Sequence, residues 1–129
     1  MDQCWENVRE FHRCFDSPVA DQPAMLAEDR VEKRYRWMLE ELDEFKESAD
    51  VYEQADAMID LIYFALGTLV EMGVRPQKVF DAVHQANMDK IWPDGLVHHG
   101  PDGKVIKSPT WRDPAETVRA IINSQMENR

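Results

Sequence analysis

Six carboxylates carry most of the chemical content of this sequence. Glu40, Glu41 and Glu44 stand in one short stretch, and Glu53, Asp56 and Asp60 follow at spacings of three and four. Residues three and four apart share a helix face. The first set therefore gathers Glu44 beside Glu40 and Glu41, and the second forms a line. Asp60 is the informative member, because it interrupts the run Ala57-Met58-Ile59-Asp60-Leu61-Ile62-Tyr63-Phe64-Ala65-Leu66. That run is apolar nearly all round, which predicts burial. A buried carboxylate costs several kcal/mol unless it is paired or bound to a metal. If the chain reverses near Ala49, Glu41 comes level with Ala57 and Met38 with Asp60. Side-chain reach then lets Glu40, Glu41 and Glu44 converge with Asp56 and Asp60, with Glu53 nearer the turn. Metal sites in helical bundles are assembled in this way from facing helices, and oxygen-only ligation favours Mg²⁺ or Mn²⁺ over zinc. The competing reading makes the acidic run a solvated helix face and Asp60 the ion-pair partner of Arg34. Spacing alone leaves both open.

The elements that must hold these groups are helices. Trp5, Val8, Phe11 and Phe15 recur at helical spacing and predict a first amphipathic helix over residues 2–15. Pro18 and Pro23 break it. A second helix is expected from about Ala24 to Glu47, a stretch rich in Glu, Leu, Met, Lys and Arg. Asp50 supplies N-cap chemistry for a third, Val51 to Met72, which Gly73 stops. Pro76 suits the first turn of a fourth, running to about Ile91. Short links imply antiparallel neighbours. After Trp92, Leu96–His99 and Lys104–Lys107 flank Gly100-Pro101-Asp102-Gly103, which predicts a small β-hairpin. A last helix should start at Pro114 or Ala115, capped by Asp113. The expected fold is all-α: one domain over residues 1–129, an antiparallel helical bundle with residues 92–129 as a hairpin and terminal-helix arm.

Helix four holds a second anomaly. Val79, Val83, Asn87 and Ile91 fall on one stripe, so Asn87 is expected on the inward face, where an unpaired amide is costly. Lys90 shares that side, and the two together are candidates to hold phosphate oxygens. Asn87 could equally cap a carbonyl, with Lys90 complementing the helix end. In the tail, Trp111 and Lys107 are candidates for stacking on a base and holding a phosphate, against the blander roles of packing and solvation. His98 and His99 point to opposite faces of a strand and make a poor metal clamp. His12 flanks the apolar stripe of helix one. Gly67 either leaves space or lets helices approach closely.

Composition narrows the classes. With 43% hydrophobic and 31% charged residues, the chain is that of a folded globular protein. The net charge of −10 argues against a nucleic-acid grip. It sets a condition on any phosphorylated ligand: divalent ions must invert the local field. Cys4 and Cys14 show no metal-ligand spacing and read as reduced cytosolic thiols. The acidic start lacks an apolar signal segment, and the longest apolar run is too short for a bilayer. No membrane partner and a cytoplasmic location are expected.

Glu40-Glu41-Leu42-Asp43-Glu44 followed by Glu53-Gln54-Ala55-Asp56 resembles the EExxE…ExxD signature of the all-α nucleoside triphosphate pyrophosphohydrolases, which include MazG-like enzymes, dimeric dUTPases and phosphoribosyl-ATP pyrophosphohydrolases. Asn87-Met88-Asp89-Lys90 resembles the family's downstream phosphate-contacting pair. Phe11-His12 and Gly103 to Pro109 resemble a phosphoribosyl-ATP-pyrophosphohydrolase-like branch. The resemblance spans roughly residues 5–112. It implies Mg²⁺-dependent hydrolysis of a nucleoside triphosphate to monophosphate and pyrophosphate, in a homodimer or homotetramer. The metal ligands would come from Glu41, Glu44, Glu53, Asp56 and Asp60, with Glu40 acting on the attacking water. Asn87, Lys90, Lys107 and Trp111 would contact substrate. By letter the second ligand pair is Glu53/Asp56; by helix depth it is Asp56/Asp60. Phosphoribosyl-ATP hydrolysis and a helical interaction module without chemistry are the alternatives.

Overall fold

The computed structural model describes residues 1–127, which form five helices and no strand. They fall into two compact units. The first, Met1–Pro76, contains α1 (Asp2–Cys14), α2 (Glu28–Glu47) and α3 (Val51–Met72). The second, from Gln77 onward, contains α4 (Gln77–Met88) and α5 (Ala115–Glu127).

In the first unit α3 packs against both α1 and α2. Its start and stop follow local chemistry. Asp50 accepts the Glu53 N–H at 2.8 Å, and Gly73 closes the C-terminus in the left-handed conformation at φ 71°. A side chain at Gly73 would also collide with the Gln22 carbonyl, 2.4 Å from a Cβ placed there. The buried core lies between α1 and α3, where Trp5, Val8, Leu66 and Val70 meet, with Val19 and Leu69 against them. Helix α2 begins at Glu28 rather than Ala24. The preceding segment is committed elsewhere: the Ala20 and Ala24 N–H groups bond the Val70 and Met72 carbonyls, satisfying the open end of α3.

Helices α2 and α3 form an antiparallel hairpin across Ser48–Asp50. Side-chain partners run Arg30 with Glu71, Trp37 with Phe64, and Glu41 with Asp60. Asp60 thus meets Glu41 rather than its expected level partner, Met38. The cause is the lean of helical side chains toward their own N-terminus. On α2 that direction is away from the turn and on α3 toward it, so residues about a helical turn out of level meet.

The apolar run of α3 is not buried all round. Ile59 is 60% exposed, and Ile62 and Tyr63 are also open. Within the first unit α1 and α2 cover only part of its circumference. Leu39, Leu42 and Phe45 are likewise exposed on α2, leaving substantial unpartnered apolar surface on the hairpin.

In the second unit α4 packs against α5. The expected β-hairpin does not form: the described residues there contain only an isolated bridge, His99 with Val105. Neighbouring turns take the backbone groups a ladder would need. Leu96 donates its N–H to Asp94 while its carbonyl accepts the Trp92 backbone N–H, and the Ile106 carbonyl accepts the Trp92 indole N–H. The cap expected at Asp113 is present, accepting the Ala115 N–H at 2.8 Å. No single helix among the described residues is long and apolar enough to cross a membrane.

Candidate metal centre

Glu41, Glu44 and Asp60 converge across the α2–α3 hairpin, each offering a carboxylate oxygen within 4.8 Å of the other two. The fold places them there by elementary means. Glu41 and Glu44 are three residues apart on one face of α2, and the side-chain lean described above brings Asp60 of α3 to meet them. Glu41 and Asp60 are half-buried, whereas Glu44 is exposed at the mouth.

Such a cluster is electrostatically unfavourable without a cation. The Glu41 carboxyl is pushed up to about 7, first by burial, then by the hydrogen bond and charge of Glu44, then by the charges of Asp60 and Asp56. Asp60 is raised as well, by burial and by the charges of Asp56 and Glu44. Two carboxylates share a hydrogen bond only when one holds a proton. With all ionised, Glu41 Oε2 is a buried acceptor with no partner. That orphaned oxygen is the local evidence that the residues fit a cation. Mg²⁺ binds oxygens at about 2.1 Å, so opposing ligands lie about 4.2 Å apart, close to the spacing available.

The remaining acidic residues take distinct places. Asp56 is exposed but close enough for its charge to act on both Glu41 and Asp60. Glu53 belongs to the turn: its carboxylate accepts the Ala49 N–H at 2.8 Å. With Glu44, Glu47, Ser48 and Asp56 it lines an open acidic pocket of about 300 Å³. Glu40 is exposed beside Glu41.

Arg34 does not pair with Asp60. It donates through Nε to Glu71, which also receives a two-pronged contact from Arg30 at 2.8 and 2.9 Å. The Glu71 side chain is 1% exposed, and the two guanidinium groups hold its carboxyl below the usual range. Arg34 also donates to His12 Nε2, while His12 Nδ1 contacts the Pro18 carbonyl at 2.8 Å. Gly67 makes room for this pair, since a Cβ there would lie 2.9 Å from both Arg34 and His12. Neither Glu71 nor its role was anticipated from the sequence. The available signal was a second carboxylate in the apolar helix, eleven residues after Asp60 and so three turns along the same face.

The other expected substrate contacts lie in the second unit. Asn87 is exposed, not inward. The buried face of α4 centres on Ala86, and Val83, expected on the inner stripe, is open, as is Phe80. Lys90 follows the end of α4 and is half-buried. Trp111 gives its indole N–H to the Ala86 carbonyl at 2.6 Å, and Lys107 Nζ lies 4.3 Å from its ring centre. The indole edge is thus committed to packing.

Residues 8–87 match the model of a family described as phosphoribosyl-ATP pyrophosphohydrolase. Among solved structures, a crystal structure of a candidate NTP pyrophosphohydrolase from Exiguobacterium sp. 255-15 is similar over 96% of both chains. It is 30% identical, with a TM-score of 0.54. No curated protein matches significantly.

Proposed function

The chain belongs to the phosphoribosyl-ATP pyrophosphohydrolase family, within the all-α NTP pyrophosphohydrolases, and from that premise we propose that it hydrolyses a nucleoside triphosphate to the monophosphate and pyrophosphate with Mg²⁺, which Mn²⁺ can replace. The observation that carries this reading is the orphaned Glu41 Oε2 inside a cluster of three carboxylates. Glu41, Glu44 and Asp60 would hold the ion, with Asp56 adding charge from the rim. When bound, the metal supplies charge neutralisation for the phosphates and the leaving group.

The protein's own groups then do the rest. Glu40 orients the attacking water and accepts its proton. The water oxygen forms a bond to the α-phosphorus while the bond from that phosphorus to the bridging oxygen breaks, and pyrophosphate departs with the electron pair. Asn87, Lys90 and Lys107 are assigned to the phosphate chain. Trp111 can offer only its ring face, its N–H being spent on Ala86. The exposed apolar surface of the α2–α3 hairpin suits a second copy of the chain, because patches of this kind mark interfaces. A homodimer or homotetramer is part of the proposal.

A second reading, hydrolysis of phosphoribosyl-ATP, is favoured by the family match itself. One assay separates them: pyrophosphate release with Mg²⁺ from canonical and damaged nucleoside triphosphates, with phosphoribosyl-ATP in parallel. Turnover of triphosphates supports the first reading, and turnover of phosphoribosyl-ATP alone the second. Inactivity on all of them rejects both.

A further inference from the structure

One helical turn from the carboxylates, on the side away from the α2–α3 turn, the first unit holds a cavity of about 230 Å³. Its walls are aromatic: Phe11 from α1, Trp37 from α2, and Tyr63 and Phe64 from α3. Trp37 precedes Glu41 by four residues, and Tyr63 follows Asp60 by three, so the cavity continues the metal centre along both helices at about 1.5 Å per residue. The walls are braced by ring contacts, Trp37 to Phe64 at 5.9 Å and Phe11 to Tyr63 at 5.7 Å between centroids.

The polar lining is Arg34, His12 and Ser17. A carbonyl only accepts, so the Pro18 contact puts the His12 proton on Nδ1. A guanidinium only donates, so the Arg34 contact requires a lone pair on Nε2. Both ring nitrogens are thus spent. Arg34 brings positive charge that Glu71 must share with Arg30, and both guanidiniums lie over the Trp37 ring, at 5.1 and 5.6 Å. The donors that the lining can offer are therefore the remaining Arg34 N–H groups and the Ser17 hydroxyl, and it carries surplus positive charge behind four aromatic rings. A phosphate would lose too much hydration against those rings. A flat, neutral ring with carbonyl acceptors on its edge suits both features.

We propose that this cavity receives the nucleobase of the substrate and selects bases bearing an oxo group over their amino counterparts. Trp37 and its neighbours supply the stacking surface, and Arg34 is the principal donor to the oxo oxygen. An amino group in that place would set donor against donor. The proposal rests on the nucleotide reading above and adds to it a preference that the metal centre alone does not provide.

The test uses matched bases. Calorimetric binding of UMP against CMP, and of IMP against AMP, in Mg²⁺ requires no turnover. A hydrogen bond from a charged donor predicts about tenfold or greater preference for the oxo member of each pair. Trp37→Leu should weaken UMP and IMP about tenfold through lost stacking, while keeping the metal-linked rise in melting temperature. Arg34→Lys should narrow the oxo preference. If Arg34→Lys fails to fold, the wild-type pairs and Trp37→Leu still decide. Equal binding within the pairs, preference for the amino base, or undiminished binding in Trp37→Leu overturns the proposal. So does cleavage of inorganic tripolyphosphate as fast as of UTP, which would leave the pyrophosphohydrolase reading standing. Oxo-selective binding without pyrophosphate release would reject that reading and keep the base pocket.

Discussion

Metal-free protein should lose stability as pH rises from 5 to 7.5. Glu41 is the source, because its carboxyl sits at about 7 in the fold against an ordinary value near 4.5. A group whose pKa is raised by folding adds stability that is fully present below its unfolded pKa. That stability is lost as pH climbs through the folded value. The full shift corresponds to about 3 kcal/mol, and screening by solvent at a site bordered by exposed Glu44 and Asp56 reduces it to about 1–2 kcal/mol. Asp60 is raised too and pulls in the same direction. Glu71 is lowered and acts oppositely, but its stabilisation fades only on acidification below the ordinary carboxylate range, outside this window. For a chain of this length the loss amounts to roughly 3–8 °C in melting temperature. Thermal melts in EDTA at several pH values measure it, with Glu41→Gln as the control in which the slope should flatten. In excess Mn²⁺ the slope should reverse, since ligation needs deprotonated carboxylates. Stability of the metal-free protein that rises with pH across the window, or an unchanged slope in Glu41→Gln, would refute the reasoning.

Two further changes probe the scaffold. Glu71→Gln leaves Arg30 and Arg34 without their shared carboxylate and should cost about 3–5 kcal/mol by urea unfolding, with or without metal; a loss under 1 kcal/mol would mean the ion cluster is dispensable. Gly67→Ala pushes a methyl group against Arg34 and His12, and should cost about 1–3 kcal/mol in the same assay; a neutral result would show that the pair moves aside freely.

The helices were legible because their signals are local. Asp50 and Gly73 bound α3 where the cap and the left-handed residue require, and the acidic spacings already put Glu41, Glu44, Asp56 and Asp60 within reach of one another. What escaped depends on partners distant in the chain. Arg34 finds Glu71 across 37 residues, and no periodicity announces which of two carboxylates on α3 an arginine will choose. Its choice of Glu71 leaves Asp60 without the cation that the ion-pair reading had given it. Glu53 reads as a ligand by letter; one of its carboxylate oxygens accepts the Ala49 N–H beside the turn, and it lines an acidic pocket with Glu44 and Asp56. Asn87 was read inward because Val79 and Val83 outline an apolar stripe. The surface that α4 buries is set by small Ala86, beneath the Trp111 indole, and hydropathy counts methyl groups rather than room for a ring. The hairpin signal at Asp102-Gly103 did make a turn, yet competing turns at Asp94 and Trp92 removed the ladder around it.

The central claim is that Glu41, Glu44 and Asp60 form a divalent-metal site. The most direct measurement compares melting of wild-type and Asp60→Asn protein in EDTA and in excess Mn²⁺. Wild type should gain about 2.7 kcal/mol at a Mn²⁺ concentration about 100 times the dissociation constant. Asp60→Asn should match or exceed the wild type in EDTA, because it relieves a crowded acidic cluster, and should lose most of the gain from Mn²⁺. Wild-type curves that superimpose in EDTA and Mn²⁺ would contradict the claim.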